Sequence, residues 1–272
     1  MATPPVAERP PVAATDPLIR PHLDPRPDDP HYLVLKDLRD YLEGRRTDEA
    51  VRVLDYGAGH SPYRSLFPRA EYRRADCEPY PGLDYVVDAD GRIRAPDRHF
   101  DVVLSTQVAE HLFNPGFYFR EAFRVLRPGG RLIVTTHGIW PDHGAPHDYQ
   151  RWTAAGLARD LGQAGFDHVR TAKLTGDRRA HLFLLLEAWN GIDAKKSPRH
   201  RLLARLLAGT LRRFRPALHR WADRRLTRFR IVELDATHAN GPPFYLLVAA
   251  EAMRPDPSAP AGGAANPPTT HA

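Results

Sequence analysis
The sequence predicts an α/β protein in which a mostly parallel sheet is covered by helices on both faces. Two observations carry this. Short apolar runs of strand length alternate with amphipathic stretches of helical length through the middle of the chain. The first run, Val53-Leu54-Asp55, ends in a carboxylate and passes at once into Tyr56-Gly57-Ala58-Gly59, a strand-to-turn junction at which backbone can press against a ligand.

Taken in order, Leu33, Leu35, Leu38, Tyr41 and Leu42 mark an amphipathic helix that stops before Gly44. Strands are expected at Val51 to Asp55, Glu71 to Ala75, Asp84 to Val87, Phe100 to Ser105, Arg131 to Thr136, Val169 to Leu174 and Phe244 to Ala250. Helices are expected at Ser61 to Phe67, Phe117 to Leu126 and Thr153 to Ala164. Asn114 caps the middle one, and Pro115 suits its first position, where no amide donor is needed. Only eight residues separate Ala75 from Asp84, and Pro79 and Pro81 fall among them, so the crossover helix usual between parallel strands is largely missing there.

The chain of 272 residues is 42% hydrophobic, enough for one sizeable core. Nine of the first thirty residues are proline, and the last eighteen are mostly Pro, Ala, Gly, Asn and Thr. Neither composition offsets its ordering entropy by burial, so residues 1–28 and 255–272 are expected to be disordered tails flanking one domain at 29–254.

The start of the chain lacks a basic segment followed by an apolar run, so no secretory signal is expected. Leu182 to Leu186 and Tyr245 to Ala250 are far below the roughly 18 apolar residues that span a bilayer. A single cysteine, Cys77, excludes an internal disulfide and fits a reducing compartment, which points to the cytoplasm.

The net charge of +6 is concentrated. Residues 195–230 hold thirteen Lys or Arg against one acid, Asp223, a local charge of +12, so the remainder carries −6. In this segment Leu203, Leu207, Leu211, Phe214, Leu218 and Trp221 recur every three or four residues, which predicts an apolar helix face opposite an arginine face. Pro216 should break or kink it into two helices. The helices read first as a lid or a homodimer contact and second as a peripheral membrane contact. Few aromatics accompany the arginines, which argues against nucleic acid.

Asp76 lies 21 residues beyond Asp55, near the expected end of the second strand, where a carboxylate can take both hydroxyls of a ribose. A nucleoside-bearing cofactor is therefore the first functional expectation. A nicotinamide-dependent dehydrogenase would share the strand, glycines and later acid, but its third fingerprint position falls here on Pro62, which has no amide donor for a pyrophosphate.

The motifs Val53-Leu54-Asp55-Tyr56-Gly57-Ala58-Gly59, Asp76, Val87-Asp88-Ala89-Asp90, Phe100-Asp101-Val102-Val103-Leu104-Ser105, Glu110-His111 and Arg124-Val125-Leu126-Arg127-Pro128-Gly129-Gly130 occur in that order. Together they resemble the class I S-adenosylmethionine-dependent methyltransferases, in the small-molecule branch that includes quinone-biosynthesis enzymes. The resemblance spans about residues 50 to 170. It implies a Rossmann-like seven-stranded sheet whose antiparallel last strand inserts beside the sixth, with a helical insertion at about 175–230.

The resemblance also implies residue roles. Asp55, Gly57 and Gly59 would flank the methionine part of S-adenosylmethionine, and Asp76 would bind its ribose. Asp88 and Ala89 would meet the adenine edge, and Ser105 to Gln107 would close over the cofactor. Two departures stand out: Ser61 and Pro62 replace a third glycine, and the second crossover is short.

Methyl transfer from a sulfonium is an in-line displacement, and a hydroxyl acceptor must also lose a proton, a task suited to histidine. His111 and His147 are the catalytic candidates. His111 reads otherwise as a locally bonded helix-start residue. The loop from His143 to Thr153 resembles one found in methyltransferases of glycan and natural-product pathways and should border the acceptor pocket; its plainer reading pairs Asp148 with Arg151 and docks Trp152 on the sheet. His137, Asp142, His143, His147 and Asp148 raise the question of a metal, but their spacing matches no zinc or iron pattern, so no metal is expected. The expected function is methylation, on oxygen, of a small-molecule or glycan acceptor. The alternative is a non-catalytic cofactor-binding or scaffold protein acting through its basic helices.

Overall fold
The computed structural model describes residues 19–88, 91–144, 147–190, 201–234 and 241–258. Its elements are β1 (Arg52–Tyr56), β2 (Glu71–Asp76), β3 (Tyr85–Val86), β4 (Phe100–Thr106), β5 (Leu126–His137), β6 (Asp167–Gly176), β7 (Ile231–Leu234) and β8 (Tyr245–Met253). The helices are α1 (Arg20–Leu23), α2 (Tyr32–Glu43), α3 (Pro115–Val125), α4 (Ala154–Gln163), α5 (Asp177–Asn190) and α6 (Arg201–Arg225).

All strands join one sheet in the order β3-β2-β1-β4-β5-β8-β6-β7. The pairs from β3 through β5 are parallel, while β8 lies antiparallel between β5 and β6. The sheet has eight strands rather than seven. The additional one, β7, pairs antiparallel with β6 along Thr171 to Leu174 and uses the short Ile-Val-Glu-Leu run that follows the basic segment.

Strand alternation sends neighbouring residues to opposite faces. Leu54, Val103 and Leu132 join the core under α3 and α4, whereas Val53, Val102, Leu104 and Ile133 join the core under α2 and α5. In α2, Val34, Leu38, Tyr41 and Leu42 are all buried against the sheet, each aliphatic one contributing roughly 1.5–3 kcal/mol. The side chain of Asn114 accepts from the Phe117 amide, and Thr153 caps α4 through the Gly156 amide.

Three local expectations fail. Ser61 to Phe67 forms only a single 3-10 turn, Arg64–Leu66, because Ser61 adopts a positive φ and Pro62 and Pro68 bracket too few residues for a helix. Residues 19–28, expected within the disordered tail, are structured: Ile19 is buried, and Arg20 pairs with Asp29, whose carboxylate also accepts the Arg26 amide. Residues 1–18 and 259–272 of the expected tails lie outside the described residues.

The third failure concerns α6, which runs through Pro216 without interruption. Phe214 and Trp221 are 56% and 51% exposed, while Arg215, His219 and Ala222 are buried. Polar anchors set this rotation. His219 stacks on Tyr32 and contacts the Pro27 carbonyl, and Asp223 accepts from Tyr32 Oη at 2.7 Å and Arg179 Nη2 at 2.9 Å. Beneath them the fully buried Asp37 accepts from Arg179 Nε at 2.7 Å, Arg230 Nε at 2.8 Å and Thr175 Oγ1 at 2.9 Å, tying α2 to both ends of the insertion. No helix among the described residues is long and apolar enough to cross a membrane.

Candidate active site
Strand order reverses between β1 and β4, so the crevice for a ligand lies beyond the carboxyl ends of these strands. The turn after β1 enters it. Gly57 and Gly59 both have positive φ. A Cβ on Gly57 would lie 2.4 Å from Val108 Cγ2, which makes that glycine a packing requirement. A Cβ on Gly59 would meet nothing within 4 Å, so there the backbone faces open space.

Asp76, at the tip of β2, accepts the Gly59 amide on Oδ2 at 2.7 Å and the Glu78 amide on Oδ1 at 3.0 Å. A carboxylate has about four lone-pair sites, so capacity remains for a ribose hydroxyl. Asp55 is instead turned into the interior. Tyr72 Oη donates to it at 2.8 Å, and burial pushes its carboxyl up to about 7. It supports the turn from below.

Asp88 closes a tight turn by accepting the Arg92 amide and borders a cavity of about 540 Å³ lined also by Leu112, Phe113, Phe117 and Tyr118. Its neighbour Ala89 lies outside the described residues. Ser105 does not reach the cavity. It is fully buried, 2.9 Å from Tyr118 Oη, and that phenol donates to the Tyr56 carbonyl at 2.8 Å.

Gln107 ends β4 in a positive-φ conformation, held by the Thr135 carbonyl and hydroxyl. It borders a second cavity, of about 410 Å³, between the strand ends and α2 and α5. Val34, Leu38, Trp140, Phe183 and Leu247 give that cavity apolar walls, and Gln107, His31, His137 and His143 its polar points.

Neither nominated base borders this space. The His111 Nδ1 contacts the His147 carbonyl, and the His147 ring is exposed beside Tyr149. The loop that carries His147 shows the plainer of its two readings and also reaches the cavity through His143. Arg151 Nη2 donates to Asp148 at 2.6 Å and holds that carboxyl well below the usual range, while buried Trp152 donates to Asp160. Asp148 in turn accepts from the amide of His143 at 3.0 Å and lies 3.2 Å from its Nδ1, fixing a ring that lines the cavity.

From the sequence, Glu110 stands out only within its motif, and His137 only as one of several histidines weighed as a base or a metal ligand. Glu110 is fully buried and accepts from Thr136 Oγ1 at 2.7 Å; burial raises its carboxyl. His137 stacks on Trp140 at 4.5 Å, and burial pushes its imidazole down to about 3. Their juxtaposition joins the turn after β4 to the tip of β5, so no local spacing could have signalled it.

Residues 30–170 match the family model described as a methyltransferase domain. The chain belongs to this methyltransferase family. A probable S-adenosylmethionine-dependent methyltransferase of Mycolicibacterium smegmatis is 37% identical over 92 residues, covering 33% of this chain and 31% of that protein. A ubiquinone biosynthesis O-methyltransferase of Azorhizobium caulinodans is 25% identical over 161 residues, covering 47% of this chain and 64% of that protein. The chain thus spans less than two thirds of the length of these curated relatives. Among solved structures, phosphoethanolamine N-methyltransferase 2 of Haemonchus contortus, in complex with phosphomonomethylethanolamine and S-adenosylhomocysteine, is 16% identical with a TM-score of 0.47, covering 81% of this chain and 52% of that one.

The residues of this methyltransferase fit the nucleoside end of S-adenosylmethionine. Gly59 leaves open space, Asp76 presents a carboxylate at the switch point, and Asp88 opens onto a cavity with aromatic walls.

Proposed function
We propose that this protein transfers the methyl group of S-adenosylmethionine to an oxygen of a small-molecule or glycan acceptor. The observation that carries the reading is the Gly59–Asp76 pairing across the tips of adjacent strands, beside an open crevice. Asp55 and Gly57 support that turn, and Asp88, with Ala89 beside it in sequence, belongs to the adenine side.

The acceptor is assigned to the cavity beside Gln107. An in-line displacement asks the protein to orient the acceptor and exclude water, and walls of Trp140, Phe183, Leu38 and Leu247 suit both tasks. Oxygen is favoured as acceptor atom because His137, His143 and Gln107, among the polar groups lining this space, can hydrogen-bond a hydroxyl and orient it.

Turnover on a panel of phenols, sugars and amines, read as S-adenosylhomocysteine release with the methylated product identified by mass spectrometry, tests this. O-methylated product supports the reading. Cofactor binding without turnover on any panel member favours a scaffold acting through α6, and exclusive N-methylation contradicts the choice of oxygen.

A further inference from the structure
We propose that Glu110, His137 and His143 form a binding site for a divalent transition-metal ion of the zinc class, with an open coordination position facing the cavity beside Gln107. One donor atom from each residue lies within 4.8 Å of the others. Glu110 is fully buried and His137 is 6% exposed, yet Glu110 Oε1 and His137 Nδ1 each lack a hydrogen-bond partner. They stand 3.1 Å apart, but their angles do not make a hydrogen bond. Two buried polar atoms aimed at one point without a partner call for an occupant, and a shared cation satisfies both.

The separation suits this. Two ligands about 2.0–2.1 Å from a tetrahedral ion lie about 3.3 Å from each other, close to the Glu110–His137 spacing. The third donor then has less than about 1.5 Å to close, and it sits on a loop.

The surroundings are arranged as they are around metal ligands, which outer hydrogen bonds orient. Thr136 Oγ1 occupies Glu110 Oε2 and leaves Oε1 pointing inward. Asp148 lies against His143 Nδ1 and leaves Nε2 as the ligand nitrogen, and Arg151 fixes Asp148. Trp140 stacked on His137 sets the plane of that ring. Two groups oppose a cation there: the Arg151 guanidinium, offset by its bond to Asp148, and the His111 imidazole when it is protonated. Two imidazoles and one carboxylate favour zinc, cobalt or iron over magnesium and calcium, which prefer all-oxygen shells.

Because His137 and His143 line the cavity, a three-ligand ion would keep its fourth position toward the acceptor space. There it would bind the acceptor oxygen and lower the pKa of its hydroxyl. That role rests on the proposed methyl transfer; the binding itself does not.

The test uses the untagged full chain. It combines metal content as purified, calorimetric titration of chelator-treated protein with Zn²⁺ and Mg²⁺, and the visible spectrum of the Co²⁺-loaded protein. We expect one Zn²⁺ per chain, no Mg²⁺ uptake, and a tetrahedral Co²⁺ spectrum. Zn²⁺ affinity should fall at least 10-fold in Glu110→Gln and His143→Ala, the latter a loop change that leaves the core intact. Absence of Zn²⁺ uptake, or equal uptake by wild type and both variants, overturns the site. S-adenosylmethionine titration of the same samples shows separately whether the cofactor reading stands.

Discussion

The Gly59 amide donates to Asp76 Oδ2 at 2.7 Å, so the turn after β1 and the acid ending β2 form one unit across adjacent strand tips. The turn's two positive-φ glycines do different work within it. Gly57 packs against Val108, and Gly59 faces open space.

Substituting those glycines should therefore separate stability from binding. Gly57→Ala forces a Cβ to 2.4 Å from Val108 and should destabilise by more than the roughly 1–2 kcal/mol that a left-handed conformation costs an L-residue. Gly59→Ala should incur only that conformational cost but lower S-adenosylmethionine affinity, because the methyl enters the ligand space. Urea melts and calorimetry on the two variants check the contrast.

Asp37→Ala leaves Arg179 buried without its main partner and releases Arg230. Loss of one partner from a buried charge network typically costs about 3–5 kcal/mol, so the variant should melt well below wild type. Thermal unfolding monitored by circular dichroism would show it.

Asp55 gives a pH signature. Burial places its folded pKa at about 7 against an ordinary value of 3.8, so between these values the native state holds a proton that the unfolded chain has lost. Its contribution to stability therefore falls as pH rises from about 4 to 7. Asp55→Asn removes that dependence and should gain on wild type by up to about 1.4 kcal/mol per pH unit across this window. The buried His137 acts oppositely: with its folded pKa near 3, its contribution is lost as pH falls below about 6.5. Urea melts of wild type and variant at pH 4.5, 6 and 7.5 cancel the histidine in the difference.

Ser105→Ala removes one of the two partners of the Tyr118 phenol inside the core and leaves its bond to the Tyr56 carbonyl. It should cost about 1 kcal/mol and leave S-adenosylmethionine affinity within twofold. A large affinity loss at unchanged stability would return Ser105 to the cofactor contacts that the family resemblance implies.

The cofactor half was legible because its signals are local. A strand, two glycines, and an acid at the end of the next strand are read from consecutive residues, and the structure keeps them together. Where the sequence misled, distant partners had decided the outcome. The rotation of α6 follows Tyr32, Pro27 and Arg179, which the spacing within its own segment could not reveal. His111 and His147 follow the resemblance and the loop, whereas the buried cluster is assembled from Glu110, His137 and His143 on three separate segments. Strand β7 was overlooked because only four residues form it, shortly after a helical segment.

The central claim is that the acid ending β2 grips the cofactor's ribose. Isothermal titration with S-adenosylmethionine, comparing wild type with Asp76→Ala at matched fold by circular dichroism, tests it most directly. The account predicts one site per chain in the wild type and at least a 10-fold loss in the variant, in keeping with the roughly 1.4 kcal/mol or more expected for hydrogen bonds to a charged group. Equal affinity in both proteins, or no binding by the wild type, would contradict it.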